Sequence, residues 1–162
     1  MSGHARIWGA GGAHLTPTDR EQSALPAPRI LVIDSDSLHR MIICRAADKA
    51  GYVPAGAANP AEATKLLQST AFDCIVLDLS LGREATSGLL SRLGAIGCKA
   101  KILAMGDCDA PACHNTQRLA KSLALDVGEP VAKPVDVGRL RYVLEQLRVQ
   151  GALQRGLGTV GA

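Results

Sequence analysis

Four charged side chains stand where short apolar runs end, and their types belong together chemically. Asp34 and Asp36 follow Ile30-Leu31-Val32-Ile33, Asp78 follows Ile75-Val76-Leu77, and Lys133 follows Val131-Ala132. The two longer runs are β-prone and have the length of strands buried on both faces, so their carboxylates sit where the chain emerges. In open parallel sheets the ligand crevice lies outside the carboxyl ends of the strands, at the point where chain connections diverge. Carboxylates gathered there repel one another and resist ionising together unless a cation joins them. Such a group either holds a hard divalent ion such as Mg²⁺ or raises a pKa. A lysine beside it is a natural point charge for a phosphate oxygen. Taken singly, each residue also has a plainer reading. Asp78 can open a solvated loop, Lys133 can be a surface amine, and Asp36 suits a helix entry better than a ligand role.

The elements that must position these groups follow one another in regular alternation. Residues 29–33 form a first strand. Ser37 can cap a helix whose apolar positions Leu38, Met41, Ile42 and Ala46 keep helical spacing, closed by Gly51. Residues 52–57 make a weaker strand that Pro54 assigns to an edge. Asn59-Pro60-Ala61-Glu62 combines a cap, a first-turn proline and an acid three residues on, which starts a helix running to about Ser69. The strand ending at Asp78 comes next. A Gly-bearing loop then leads to a helix marked by Leu89, Leu90, Leu93 and Ile96. Residues 100–105 give a fourth strand, 116–125 a fourth helix, and Val131-Ala132 a brief fifth strand. Asp136 caps a last helix with Leu140, Val143, Leu144 and Leu147 on one face. Five strand–helix alternations predict an α/β fold, a doubly wound five-stranded parallel sheet covered on both sides. With the flavodoxin-like strand order 2-1-3-4-5, the first and third strands are neighbours and the acids share one crevice.

Bulk composition narrows the partners. A chain of 162 residues with 47% hydrophobic content suits one domain with tails. We expect an N-terminal arm over 1–27, in which Trp8 and Leu15 are the only docking points, a domain over 28–149, and a Gly-rich tail over 150–162. That tail is read as mostly structureless, although Leu153 and Leu157 can extend the last helix into a partner contact. The net charge of +3 is spread through the sequence, and aromatic residues are only 2%, which argues against nucleic acid as a partner. No apolar run reaches membrane-span length, and the N-terminus lacks the order of a secretory signal, so the expected location is cytoplasmic. The five cysteines, Cys44, Cys74, Cys98, Cys108 and Cys113, lack paired spacing and read mainly as small buried hydrophobes. Cys108, Cys113 and His114 beside Asp107 and Asp109 suggest a metal or redox site only weakly, because C-x-x-C spacing is missing. His39 and His114 read as surface groups.

The segments Ile30-Leu31-Val32-Ile33-Asp34-Ser35-Asp36-Ser37-Leu38, Ile75-Val76-Leu77-Asp78-Leu79 and Lys133-Pro134 together resemble the receiver domain of two-component response regulators. The resemblance covers about residues 29–149, with three motifs in family order and at near-family spacing. It implies that Asp78 accepts a phosphoryl group from a sensor histidine kinase or a phosphotransfer protein. It also implies that Asp34 is a pocket acid, that Ser80 binds Mg²⁺ through its backbone carbonyl beside Asp78, and that Lys133 contacts the phosphoryl oxygen. The Lys-Pro bond at this place is often cis in receivers. Several positions depart from the family pattern. Ser35 replaces the second acid, so Mg²⁺ should bind weakly unless Asp36 reaches in. Met105 replaces the hydroxyl after the fourth strand, and Pro130 replaces the switch aromatic. Gly82 stands in place of a usual proline, in a loop two residues longer up to Gly88.

Three functions compete. The first is a stand-alone phosphoacceptor that catalyses only its own phosphorylation and signals through a downstream protein, with a homodimer possible. The second is an adaptor that keeps the fold but not the phosphorylation. The third is a haloacid-dehalogenase-like phosphatase with Asp34 as nucleophile. It is disfavoured because no Ser or Thr ends the fourth strand, Leu38 replaces the expected Thr or Val, and a cap domain has no room.

Overall fold

The structure is a computed structural model and describes residues 25–158; the arm residues Trp8 and Leu15 lie outside that range. Its strands are β1 (Arg29–Ile33), β2 (Val53–Ala57), β3 (Cys74–Asp78), β4 (Lys101–Gly106), β5 (Asp126–Val127) and β6 (Val131–Ala132). They alternate with helices α1 (Ser37–Lys49), α2 (Pro60–Ser69), α3 (Arg83–Ala95), α4 (Pro111–Ser122) and α5 (Val137–Gly158). The parallel sheet has the order β2-β1-β3-β4-β5, with β6 also paired to β4. The expected doubly wound architecture and strand order are therefore present, with Pro54 on the edge strand β2.

Side-chain alternation along the strands sorts the core into two layers. Ile30, Val32, Cys74, Val76, Leu103 and Met105 pack with Ile43, Ala47, Leu140 and Leu144 of α1 and α5. Leu31, Ile33, Ile75, Leu77 and Ile102 face the other way, against Ala63, Leu89, Leu90, Leu93 and Ala120 of α2, α3 and α4. Each strand in the middle of the sheet is thus apolar on both faces, which is why its sequence runs without polar alternation. The site inherits a rigid base, because β1 and β3 are fixed by burial on both sides.

Local signals explain most boundaries. The Asn59 side chain accepts from Glu62 N at 2.9 Å, and the Glu62 carboxylate reaches back to Ala58 N at 2.8 Å, so both ends of the box at the start of α2 are made. Gly51, at φ +93°, ends α1, and a side chain there would also strike Arg148 Nε at 2.9 Å. Elsewhere the structure differs from expectation. The cap of α1 is Asp36, which accepts from His39 N, while Ser37 is already inside the helix. The helix expected over 116–125 occupies Pro111–Ser122 instead. Pro111 opens it, and Ala124, in the left-handed region at φ 57°, turns the chain so that Leu125 enters the core rather than a further helical turn.

The fifth strand expected at Val131-Ala132 is present as β6, and a further short strand, β5, precedes it, the two separated by a segment containing Pro130, which has no N–H to give to a ladder. The loop expected up to Gly88 is short. A 3₁₀ turn, Leu79–Leu81, leads to Gly82 at φ +99°, and α3 begins immediately afterwards. The tail read as structureless is helical as far as Gly158, and Arg155 secures the extension by pairing with Asp73 at 2.9 Å. Ile96, expected on the buried face of its helix, is its exposed C-cap.

Candidate functional site

The ends of β1, β3 and β6 bring the expected charged groups to one edge of the sheet. Asp34 and Asp78 are only 0% and 1% exposed. The Lys133 Nζ donates to Asp78 Oδ1 at 2.7 Å. Ser80 N donates to the same oxygen at 3.1 Å, and the Ser80 hydroxyl donates to Oδ2. Burial pushes the Asp78 pKa up, but the hydrogen bonds from Lys133 and Ser80 together outweigh it and hold the carboxyl below its usual value. The group is therefore an ionised, oriented carboxylate. It opens onto a pocket of about 470 Å³ lined by Asp36, His39, Ile42, Ser80, Lys133, Pro134, Val135 and Val137. The Lys133–Pro134 peptide is cis.

Asp34 is held differently. Its Oδ1 accepts from Asp36 N at 2.9 Å and its Oδ2 accepts from the Nδ1 of His39, while Arg40 donates to its backbone carbonyl at 2.7 Å. His39, expected at the surface, is thereby drawn into the site. A signal for this existed in the sequence. Once Asp36 is recognised as the cap, His39 is the third residue of the helix, and side chains of a first turn point back toward the strand end that precedes them. Asp36 uses its carboxylate as the cap, at 2.9 Å from His39 N, and that backbone hydrogen bond lowers its pKa. Ser35, in the place of the second acid, is exposed.

The Mg²⁺ that the resemblance implies can be tested against this donor set. Every carboxylate oxygen of Asp34 and Asp78 already accepts a hydrogen bond. Asp36 is engaged as a cap, and Ser35 brings no charge. Among the described residues no three His, Cys, Asp or Glu side chains converge on one point. Mg²⁺ demands near-octahedral oxygen ligation and gives up its waters reluctantly. The donors present do not fit it.

Of the remaining expected switch positions, Met105 lies beside Asp78. Met105 is paired in register with Asp78 on one side and Val131 on the other, and is fully buried. It fills with a thioether the space where a hydroxyl would stand. Pro130 is half-buried, and its carbonyl lies 3.8 Å from the Cys108 Sγ. The weak metal or redox reading of this neighbourhood gains no support. Cys113 is buried, its thiol pushed up by burial, and His114 is exposed with its ring against the Ala110 carbonyl. All five cysteines are free thiols, and burial pushes that of Cys74 up to about 12.

The family profile of the response regulator receiver domain matches residues 30–145. No curated protein matches the chain. Among solved structures, a response regulator from Colwellia psychrerythraea is similar with a TM-score of 0.67 at 21% identity, over 76% of this chain and 98% of that one. The chemotaxis response regulator CheY4 of Vibrio cholerae gives 0.62 at 19% identity, over 75% and 98%. The signal receiver domain of an HD domain-containing protein from Pseudomonas fluorescens gives 0.65 at 20% identity, over 83% and 96%. At these identities the likeness speaks for the fold. Among the described residues no helix is long and apolar enough to cross a membrane.

Proposed function

The chain belongs to the response regulator receiver domain family, and on that premise we propose that it accepts a phosphoryl group on Asp78 and signals by binding another protein. The donor is a sensor histidine kinase or a phosphotransfer protein, encountered in the cytoplasm. One observation carries the reading: a nearly inaccessible carboxylate, ionised and aimed at a pocket, with the Lys133 ammonium 2.7 Å from one oxygen. In the transfer an Asp78 oxygen attacks phosphorus. The bond from phosphorus to the donor atom breaks, and its electron pair leaves with the donor. Lys133 is placed to meet the charge on the transferred oxygens, which is what positioning and electrostatic stabilisation must supply in such a reaction. The chain is then a phosphoacceptor that catalyses its own modification and turns over no other substrate.

Asp34 makes a poor alternative nucleophile, being fully buried with both oxygens engaged, so the phosphatase reading falls away. The adaptor reading keeps one observation in its favour, the buried Met105 beside Asp78. The downstream partner is a protein or a second copy of this chain, for which exposed Val149, Leu153 and Leu157 on α5 offer apolar contacts. Incubation with acetyl phosphate followed by intact mass measurement tests the proposal. The wild-type chain should gain one phosphoryl group, and Asp78→Asn, nearly isosteric but not nucleophilic, should gain none. Uptake by the Asn variant would move the acceptor elsewhere, and no uptake by either form would favour the adaptor.

A further inference from the structure

We infer that this pocket takes up a phosphoryl group without a divalent ion, with His39 as the positioning residue that satisfies Asp34 in the ion's stead. The inference rests on Asp78 being the acceptor. A receiver pocket with an unshared acid pair beside its acceptor has a charge problem that a cation ordinarily solves, because carboxylates brought together repel. In this chain the problem is solved by side chains. One acid of the pair is Ser35, which is uncharged and exposed. The other, Asp34, is sealed below the pocket floor and does not line the pocket. Its two oxygens are covered by the backbone N–H of Asp36 and by His39 Nδ1.

A ring N–H donated to an ionised carboxylate is a charge-assisted hydrogen bond and is available from either protonation state of imidazole. His39 does line the pocket, together with Asp78, Ser80 and Lys133. The acceptor has its own compensation. Lys133 covers Oδ1, and the Ser80 hydroxyl covers Oδ2. That hydroxyl comes from the turn directly after the acceptor, in a chain whose fourth strand ends in Met105 instead of a hydroxyl residue. Asp34 and Asp78 therefore each have their own donors, and the negative charge an incoming phosphoryl group brings is met by the remaining N–H donors of Lys133 and by the Ser80 hydroxyl once it turns from Asp78 Oδ2. The group enters with its own charge, and the acetate of the donor leaves with its electron pair, so the exchange needs no metal to balance.

The experiment follows uptake from acetyl phosphate by intact mass, in buffer containing Mg²⁺ or in EDTA. Wild-type chain should be modified to the same extent in both. His39→Ala should lose about tenfold in rate in EDTA, the size of one hydrogen bond to a charged group. It should recover in Mg²⁺, because an uncovered Asp34 can then turn to the ion. His39→Gln keeps an N–H donor and should behave like wild type in EDTA; it also serves if the Ala variant fails to fold. A wild-type chain modified only in Mg²⁺ overturns the inference and leaves Asp78 as acceptor. An equal loss in His39→Ala in both buffers overturns it too, by giving His39 no relation to the ion. No modification of the wild type in either buffer overturns the acceptor reading and the inference with it.

Discussion

On one side of Asp78 stand β1 and β3, in unbroken register from Ile30 against Cys74 to Ile33 against Leu77. On the other, β4 meets only two-residue partners, β5 opposite Lys101 and Ile102 and β6 opposite Met105 and Gly106. The first side is apolar to the last residue and ends in groups whose hydrogen bonds are all made. The second is interrupted by Gly128 and Pro130 and carries Met105 where a hydroxyl would be drawn toward a bound phosphoryl group. On the proposed function, accepting a phosphoryl group needs a rigid carboxylate with its counter-charge; the first side supplies the carboxylate, and Lys133, which follows β6, reaches across from the second to supply the charge. In the family pattern the event is reported through a hydroxyl and a rotatable ring, and the second side has Met105 and Pro130 at those positions. A ligand shifts an equilibrium only by its differential contacts with the two states. On the proposed function, chemistry and readout are therefore expected to be separable in this fold.

The comparison can be broken most forcefully through stability. Leu77 is completely buried in β3, so Leu77→Ala should cost about 2–5 kcal/mol. Val131, half-buried in the two-residue β6, should cost about 1 kcal/mol or less when cut to Ala. Urea unfolding of the two variants measures the gap, and similar costs would mean that the short-stranded side is as firmly built as the other.

A smaller effect is expected at the bond that joins the two sides. Lys133→Ala leaves the Asp78 carboxylate with Ser80 alone, and should destabilise the chain at neutral pH by about 1–3 kcal/mol. The pH dependence gives the sign. The folded-state pKa of Asp78 is lowered, so its ionised form stabilises the fold above the ordinary aspartate value of about 4 and that contribution fades as pH falls through the folded value. The loss from Lys133→Ala should therefore shrink in acid. A penalty that stays constant down through the acid range would mean that Lys133 stabilises the fold by something other than its pair with Asp78.

Much of this was legible in the sequence because the strongest local signals are also the ones that build the sheet. The runs ending at Asp34 and Asp78 read correctly as strands, and the Asn59 to Glu62 box reads correctly as a helix start, since each is decided within a few residues. Where tertiary context chose between near-equal options, the reading slipped. Asp36 and Ser37 both make good caps, and only the fold shows that Asp36 takes the role. Leu119 and Leu123 keep helical spacing, yet Ala124 turns the chain directly after them. Arg83, Glu84 and Ala85 are good helix formers behind Gly82, but Thr86, Ser87 and Gly88 after them are not, so the start of a helix there is weakly marked. The bond of His39 to Asp34 depends on that same choice of cap, because only with Asp36 as the cap does His39 fall in the first turn and point back to the strand end. Arg155, which holds the last turns of α5 to Asp73, is 82 residues away from it in sequence.

Backbone amide exchange, with and without acetyl phosphate, tests the separation of chemistry from readout most directly. The loop after the acceptor is short, so protection should rise within residues 79–82, where the 3₁₀ turn and Gly82 must adjust to a new dianion. Residues 105–117, at the end of β4 and the start of α4, should change little. Protection changes centred on 105–117, at least as large as those in 79–82, would contradict the account, because they would show Asp78 coupled to the fourth strand without the hydroxyl and the ring.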